Sequence, residues 1–372
     1  MKRMKTQSTP HTATHPGVIL KNELDSRNIS QKEFAQSIDM QVTMLNEIIK
    51  GKRTVTADIG LALEKALDIP ADFWVNLQAQ YDLDEARIKE KNIQKILYIE
   101  KWNVIKQYVP VSTFNKLGLL TNSLADNIQK IWDIYEVNHL DDLIANFARH
   151  KELVLYKKSE MLKNDQINIF AWSKLAMYMA KPKVVPVFST TNEAILIEKL
   201  RKVFSENTRV LEQTEALMTS YGIKFFILEK FDQTPVDGYS FWSGDNPAIV
   251  LTLRKKTLDN FAFTLFHELG HVFRHFPNET TRTFLNVEHV NYSHEYLLLE
   301  NEADQYANNT LINHAEWLAF MKQNPTFRYG DTERSIRTLA VNTNLHPSII
   351  LGRYCFETKN YAIKTKIERS FN

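Results

Sequence analysis

The chain has 372 residues, 44% of them hydrophobic and 24% charged, with a formal net charge of +2. That length exceeds one simple core and calls for two or three domains, and the near-neutral balance requires any basic surface to be local. A single cysteine, Cys355, excludes an intrachain disulfide framework or a cysteine-built zinc site, and no run of about 18 apolar residues or apolar stretch behind the basic N-terminus marks a membrane span or signal peptide, so a cytoplasmic protein is expected.

Residues 1–13 read as a polar arm, and residues 16–92 as five short, closely spaced helices. His15-Pro16-Gly17 opens the first, with Val18, Ile19, Leu20 and Leu24 on its apolar side. Ser30 followed by Glu33 is a capping-box pattern that opens the second. The third runs from Val42 to Lys50, with Leu45, Ile48 and Ile49 at buried spacing and Gly51 as its C-terminal stop. Thr56 begins the fourth and Pro70 the fifth. Residues 93–220 are mostly helical by pattern, with segments near 93–108, 124–136, 139–149, 166–180 and 191–219. Their aromatics Trp102, Trp132, Phe147 and Trp172 are expected in core. Strands follow over Ile223–Leu228, Gly238–Trp242 and Ala248–Leu253, the last two separated by a turn over Ser243–Pro247. A helix spans Thr257–Phe276, and another Leu297–Leu311.

The helices at 30–50 have the spacing of a helix-turn-helix, whose second helix lies in a major groove. Its outward residues would be Gln41, Val42, Thr43, Asn46 and Glu47. Gln41, Thr43 and Asn46 suit base edges or phosphates, and Lys50, Lys52 and Arg53 suit phosphates. Residues 1–60 hold nine Lys or Arg against six Asp or Glu, a modest footprint that equally fits a small helical bundle with a basic corner. The SQKEFA segment, the GKR turn and the FWVNLQAQYDL ending, within residues 15–87, resemble the phage-repressor-type helix-turn-helix of HigA antitoxins. That resemblance implies promoter binding as a homodimer, often beside a small ribonuclease toxin. The recognition helix departs from the usual Ser and basic start, reading Gln41-Val42-Thr43-Met44, and carries Glu47, which repels phosphate but can accept from cytosine N4.

The segment FTLFHELGH places His267 and His271 four apart, on one helical face, at a spacing that suits two ligands of one zinc ion. Glu268 sits beside them as a candidate general base for water activated by the metal. The alternative is two half-exposed histidines on an ordinary amphipathic helix. Downstream, Glu300 and Asp304 share a helical face from which Glu302 points about 200° away. Glu300 is favoured over Glu302 as third ligand, with Asp304 holding the outer nitrogen of a histidine. His275 is a possible fourth ligand that would close the site. His289 and His294 are weaker oxyanion candidates, and Tyr239, Arg254 and Tyr306 weaker still.

Residues 215–315, with FTLFHELGH and ENEADQYANNTLI, resemble the ImmA/IrrE metallopeptidase-like domain. The resemblance implies a small α+β zincin-like fold, His267, His271 and Glu300 as zinc ligands and Glu268 as base. It also implies control or cleavage of a helix-turn-helix repressor. Tyr306-Ala307 stands where the family has Phe-Ala, and Thr310-Leu311-Ile312-Asn313 where it has Leu-Leu-Met-Pro. The expected architecture is mainly α and multidomain: a five-helix helix-turn-helix domain over 1–92, a helical connecting or dimerisation region over 93–214, and the zincin-like domain over 215–372. The expected protein is a DNA-binding transcriptional regulator of antitoxin type whose zinc domain senses or cleaves a regulatory protein. Two alternatives stand beside it: a zinc endopeptidase targeted by its helix-turn-helix, and a non-enzymatic interaction protein with structural or absent zinc.

Overall fold

A computed structural model describes residues 13–155, 163–277, 283–287 and 294–371. The expected polar arm over residues 1–13 therefore lies almost wholly outside the described residues, as does His289. The chain divides into two compact units, 1–102 and 103–372. None of the described helices is long and apolar enough to cross a membrane.

The first unit holds α1 (Pro16–Ser26), α2 (Gln31–Ser37), α3 (Val42–Ile49), α4 (Ala57–Leu67) and α5 (Ala71–Ile88), and α6 (Glu90–Ile105) leads out of it. Local chemistry sets the ends of these helices. His15 caps α1, its Nδ1 accepting the Gly17 N–H at 2.9 Å, and Pro16 fills the first turn where no N–H is needed. Ser30 and Glu33 form the reciprocal capping box at the start of α2. Gly51, at φ +68°, takes the left-handed conformation that ends α3. Leu20, Leu24, Phe34, Leu45, Ile48, Leu63 and Trp74 close one core beneath these helices. Burial of those side chains holds the unit together, since helices this short are marginal alone.

The second unit begins with α7 (Val111–Lys116), α8 (Leu124–Tyr135), α9 (Leu140–Leu155), α10 (Lys163–Ala180), α11 (Glu193–Glu206) and α12 (Val210–Ser220). The single helix expected over 191–219 is two helices. Asn207 and Arg209 both take left-handed backbone conformations, and the Asn207 N–H turns back to Val203 O to cap α11. Phe147 and Trp172 are buried, whereas Trp132 is only partly so.

The sheet comprises β1 (Lys224–Ile227), β2 (Val236–Ser243), β3 (Asn246–Leu251) and β4 (Phe284–Val287) in the order β1-β3-β2-β4. The β1–β3 pair is parallel, and β2 is antiparallel to both β3 and β4. The β2–β3 hairpin is tighter than the expected Ser243–Pro247 turn. Ser243 pairs with Asn246 and Pro247 with Trp242, which leaves only Gly244 and Asp245 in the loop. Gly244 supplies the positive φ such a loop needs. Neighbouring residues of β2 face opposite sides of the sheet. Tyr239 meets Trp172 of α10 on one side. Gly238 meets α13 (Leu258–Gly270) on the other. A π-turn over His271–His275 continues α13. Then come α14 (His294–Leu311), α15 (His314–Gln323), α16 (Asp331–Thr343) and α17 (Pro347–Thr358). Leu265, Phe266, Leu269, Leu311, Ile336 and Tyr354 share one core with β1 and β3.

Candidate metal centre

Helix α13 is anchored by burial. Phe261, Leu265, Phe266 and Leu269 lie in the core, so the polar face carrying His267 and His271 has a fixed direction. The His267 and His271 Nε2 atoms come within 3.1 Å of each other. Helix α14 approaches unusually closely, because Gly270 presents no side chain to Ala303 and Tyr306. A Cβ on Gly270 would stand 3.1 Å from the Ala303 Cα, tighter than normal packing. That approach brings Glu300 to the histidines, with Oε2 3.2 Å from His267 Nε2 and Oε1 3.4 Å from His271 Nε2. One donor atom from each of His267, His271 and Glu300 lies within 4.8 Å of the others.

The surroundings fit a cation. Both histidines are buried, and the Glu300 side chain is only 14% exposed. Both oxygens of Glu268 and Oε1 of Glu300 are buried without a hydrogen-bond partner. Carboxylate oxygens left so are costly unless a cation or proton answers them. Two imidazoles and a carboxylate converging on one point can hold a metal ion with a further coordination position left open.

The outer nitrogens are also engaged. His267 Nδ1 lies 2.8 Å from Asp304 Oδ1. A carboxylate only accepts, so Nδ1 carries the proton and Nε2 faces inward. Burial works against charge on His267, but its hydrogen-bonded partners Asp304 and Glu300 outweigh it and push the pKa up to about 10. His271 has no carboxylate on its outer nitrogen, and burial with the neighbouring His267 and His275 holds it well below the usual histidine value. Burial raises Glu268 to about 8, against the opposing charge of His267. Glu268 has room only because Gly238 lacks a side chain, since a Cβ there would collide with its carboxylate.

The remaining candidates are placed elsewhere. Glu302 lies beside His275, at 3.1 Å, rather than among the converging donors, and His275 turns its other nitrogen to His271 Nδ1. Tyr239 is buried between Trp172 and Phe241, and burial raises its pKa. Arg254 makes two hydrogen bonds to Asp237, at 2.7 and 2.9 Å. The Tyr306 hydroxyl donates to Glu193 beneath the Arg274 guanidinium. His294 is an exposed residue at the start of α14. In the departing segment Thr310–Asn313, Leu311 and Ile312 are buried and Asn313 caps α15. Sequence reasoning missed Gly238 and Phe284. A glycine inside a strand signals a close approach, but nothing local marks Phe284, whose ring stacks on His271 at 4.0 Å.

On α3, Leu45 and Ile48 are buried while Gln41, Val42 and Thr43 are exposed and Asn46 and Glu47 partly so. Lys50, Lys52 and Arg53 are exposed just beyond it. Arg53 Nε donates to Glu47 Oε2 at 2.8 Å, so two of the expected DNA-facing residues are paired with each other.

The family described as Helix-turn-helix matches residues 20–74, and that described as IrrE N-terminal-like domain matches residues 218–343. Among curated relatives, Virulence-associated protein A' of Dichelobacter nodosus is 40% identical over 72 residues, which are 19% of this chain and 63% of that protein. Virulence-associated protein I of the same organism is 34% identical over 86 residues, 23% of this chain and 80% of the relative. Among solved structures, an addiction module antidote protein of the HigA family from Coxiella burnetii is 35% identical, covering 23% of this chain and 94% of that one at a TM-score of 0.22. The Pseudomonas aeruginosa antitoxin HigA, solved with the higBA promoter, is 33% identical, covering 23% and 90% at a TM-score of 0.21. Through its N-terminal unit the chain thus belongs to the helix-turn-helix family, with Virulence-associated protein I as a relative, and it carries fused to that unit a domain of the IrrE N-terminal-like family.

Proposed function

We propose that the protein is a DNA-binding transcriptional regulator of antitoxin type whose C-terminal domain binds zinc and cleaves or senses a regulatory protein. The observation that carries the zinc half is the convergence of His267, His271 and Glu300 beside the unpartnered carboxylate of Glu268. Zinc in such a donor set acts as a Lewis acid on a carbonyl and acidifies water. Asp304 holds the His267 ring in its ligating orientation. Glu268, fully buried beside the ligand set, is placed to accept a proton from the attacking water and return it to the leaving amine of a cleaved peptide. Glu268 touches the reacting atoms and is the catalytic residue of this reading.

In the DNA half, α3 enters the major groove of an operator. Gln41, Thr43 and Asn46 meet base edges, and Lys50, Lys52 and Arg53 meet phosphates. Operators read by such units are bound by homodimers, and a small ribonuclease toxin or a repressor protein is the partner class that the antitoxin type suggests. The family of the N-terminal unit and the exposed polar face of α3 support this half.

The test compares wild type with Glu268→Gln, a variant that keeps the ligands. The reading expects equal operator binding and equal zinc content, with fragments of a protein substrate appearing only for wild type. Absence of zinc from the wild-type protein would remove the metal half. Repression that is lost in Glu268→Gln would instead favour an endopeptidase that the helix-turn-helix delivers to its target.

A further inference from the structure

The two ligand histidines are held from behind in different ways. His267 turns its outer nitrogen directly to a carboxylate, Asp304, at 2.8 Å. His271 turns its own to a second imidazole. His271 Nδ1 lies 2.9 Å from His275 Nδ1, and His275 Nε2 lies 3.1 Å from Glu302 Oε2. His275 is buried, whereas the Glu302 side chain is 60% exposed.

Chemistry fixes the direction of each hydrogen bond in this row. A neutral imidazole that offers its Nε2 lone pair to a metal carries its proton on Nδ1. The His271 Nδ1–H then faces His275 Nδ1, which must accept. His275 consequently carries its own proton on Nε2, and that N–H donates to Glu302, which as a carboxylate only accepts. One tautomer of each ring satisfies the whole row. In any other arrangement of neutral rings, two protons or two lone pairs face each other.

We propose that Glu302 and His275 form a relay that sets the tautomer and ring plane of His271 for metal binding, with Glu302 acting only through His275. The inference rests on the zinc reading above. His275 is thereby a positioning residue and not a fourth ligand, and the position its ligation would have closed stays open to substrate. The backbone is shaped to fit. The π-turn donates the Phe276 N–H to His271 O, five residues back, so the helix widens over the stretch that carries both rings. Phe284 stacks on the face of His271, its ring inclined by 14°. It restrains tilting out of the ring plane, while the relay restrains rotation within it.

Zinc affinity of the full chain, read by competition with a chromogenic chelator, tests the relay. Cobalt(II) absorption reports the ligand field, and melting of the metal-free protein controls for fold. His275→Ala is expected to lose about 10–100-fold in zinc affinity, as outer hydrogen-bond partners of ligands commonly do. His275→Asn keeps an acceptor near the Nδ1 position and recovers part of that loss. Glu302→Ala weakens binding in the wild-type background and has no further effect on top of His275→Ala. Wild-type affinity in His275→Ala overturns the relay, as does a Glu302→Ala loss that persists undiminished without His275. Glu302 is surface-exposed, so Glu302→Ala carries the test by itself if His275→Ala fails to fold, and unchanged affinity there overturns the relay. His271→Ala separates the two levels. If wild type binds no zinc, or His271→Ala binds as tightly, the metal reading fails. If His271 matters and His275 and Glu302 do not, only the relay fails.

Discussion

Helices α3 and α13 carry the candidate DNA-facing and candidate metal-binding residues of this chain in opposite ways. Of the eight residues of α3, only Leu45 and Ile48 are buried, and the polar side chains point outward. In α13, ten of 13 residues are buried, among them His267 and Glu268. A recognition helix keeps its working groups out of the core, so its chemistry and its stability are nearly separate quantities. A buried helix of candidate ligands has no such separation. Its working groups are core residues, desolvated, with their charge answered by a few exact neighbours. Substitutions around α13 should therefore move stability and chemistry together, and those on α3 only binding.

Gly238→Ala probes that coupling most severely. The added methyl points at the Glu268 carboxylate, which is fully buried on a helix fixed by the core. Strand β2 is paired on both sides and cannot step back. Overpacking of this kind costs about 1–3 kcal/mol. The expected outcome is a lowered melting temperature together with loss of any Glu268-dependent cleavage, while zinc content is retained. An unchanged melt alongside lost cleavage would separate the two quantities at α13 and break the comparison.

The same contrast explains what the sequence disclosed. The first unit is built from signals a few residues long: His15-Pro16, the Ser30–Glu33 box and Gly51 each act on the turn beside them. The spacing of His267 and His271 is also local, as is the phase that puts Glu300 and Asp304 on one face of α14 while turning Glu302 elsewhere. Which elements would meet was not local. Nothing near Gly238 names Glu268 as its neighbour, and nothing near Phe284 names His271, 13 residues away and in another element. Strand β4 is four residues long and, among the described residues, pairs only with β2, too short for an alternation pattern to mark. The break of the 191–219 helix depends on left-handed Asn207 and Arg209. Asparagine tolerates that conformation, but an arginine there gives no warning of it.

A gentler probe uses one device common to both units. His15 and His346 each precede a proline and cap a helix, with Nδ1 accepting the N–H two residues on, at 2.9 and 3.3 Å. Burial lowers the pKa of both; Asp82 opposes the shift at His15, and Arg337 adds to it at His346. A histidine depressed in the folded state binds more protons when unfolded, so stability rises with pH. The contribution is full above the unfolded value of about 6.5 and is lost as pH falls from there through the folded value. Protonation removes the acceptor, which is worth about 0.5–1.5 kcal/mol per cap. Urea melts should show the first unit weakening between pH 7.5 and 5.5, whereas in the second unit the raised His267 and Glu268 oppose the His346 contribution. His15→Asn caps without titrating, and should flatten the pH dependence of the first unit alone. An unaltered slope in that variant would show that the His15 cap does not titrate in this range.

The smallest effect is expected on α3. The Glu47–Arg53 pair is exposed, both side chains at 46%, and such pairs contribute about 0–1 kcal/mol. Glu47→Ala should therefore leave the melt nearly unchanged. Its consequence lies in binding. Loss of the carboxylate releases the Arg53 guanidinium and removes a negative charge from the exposed side of α3, so on the proposed function affinity for any duplex should rise. The dependence of log affinity on log salt should steepen by about one counterion, as one more phosphate contact requires. Fluorescence anisotropy on operator and random duplexes across a salt series measures both. A uniform gain on the two duplexes means that the ion pair restrains Arg53. Weaker operator binding with random binding unchanged means that Glu47 leaves Arg53 on contact and accepts from a cytosine N4 amino group. In either case the change at α3 appears in DNA affinity with the fold intact. A large loss of stability would place Glu47 among the packing residues and remove the separation between the two helices.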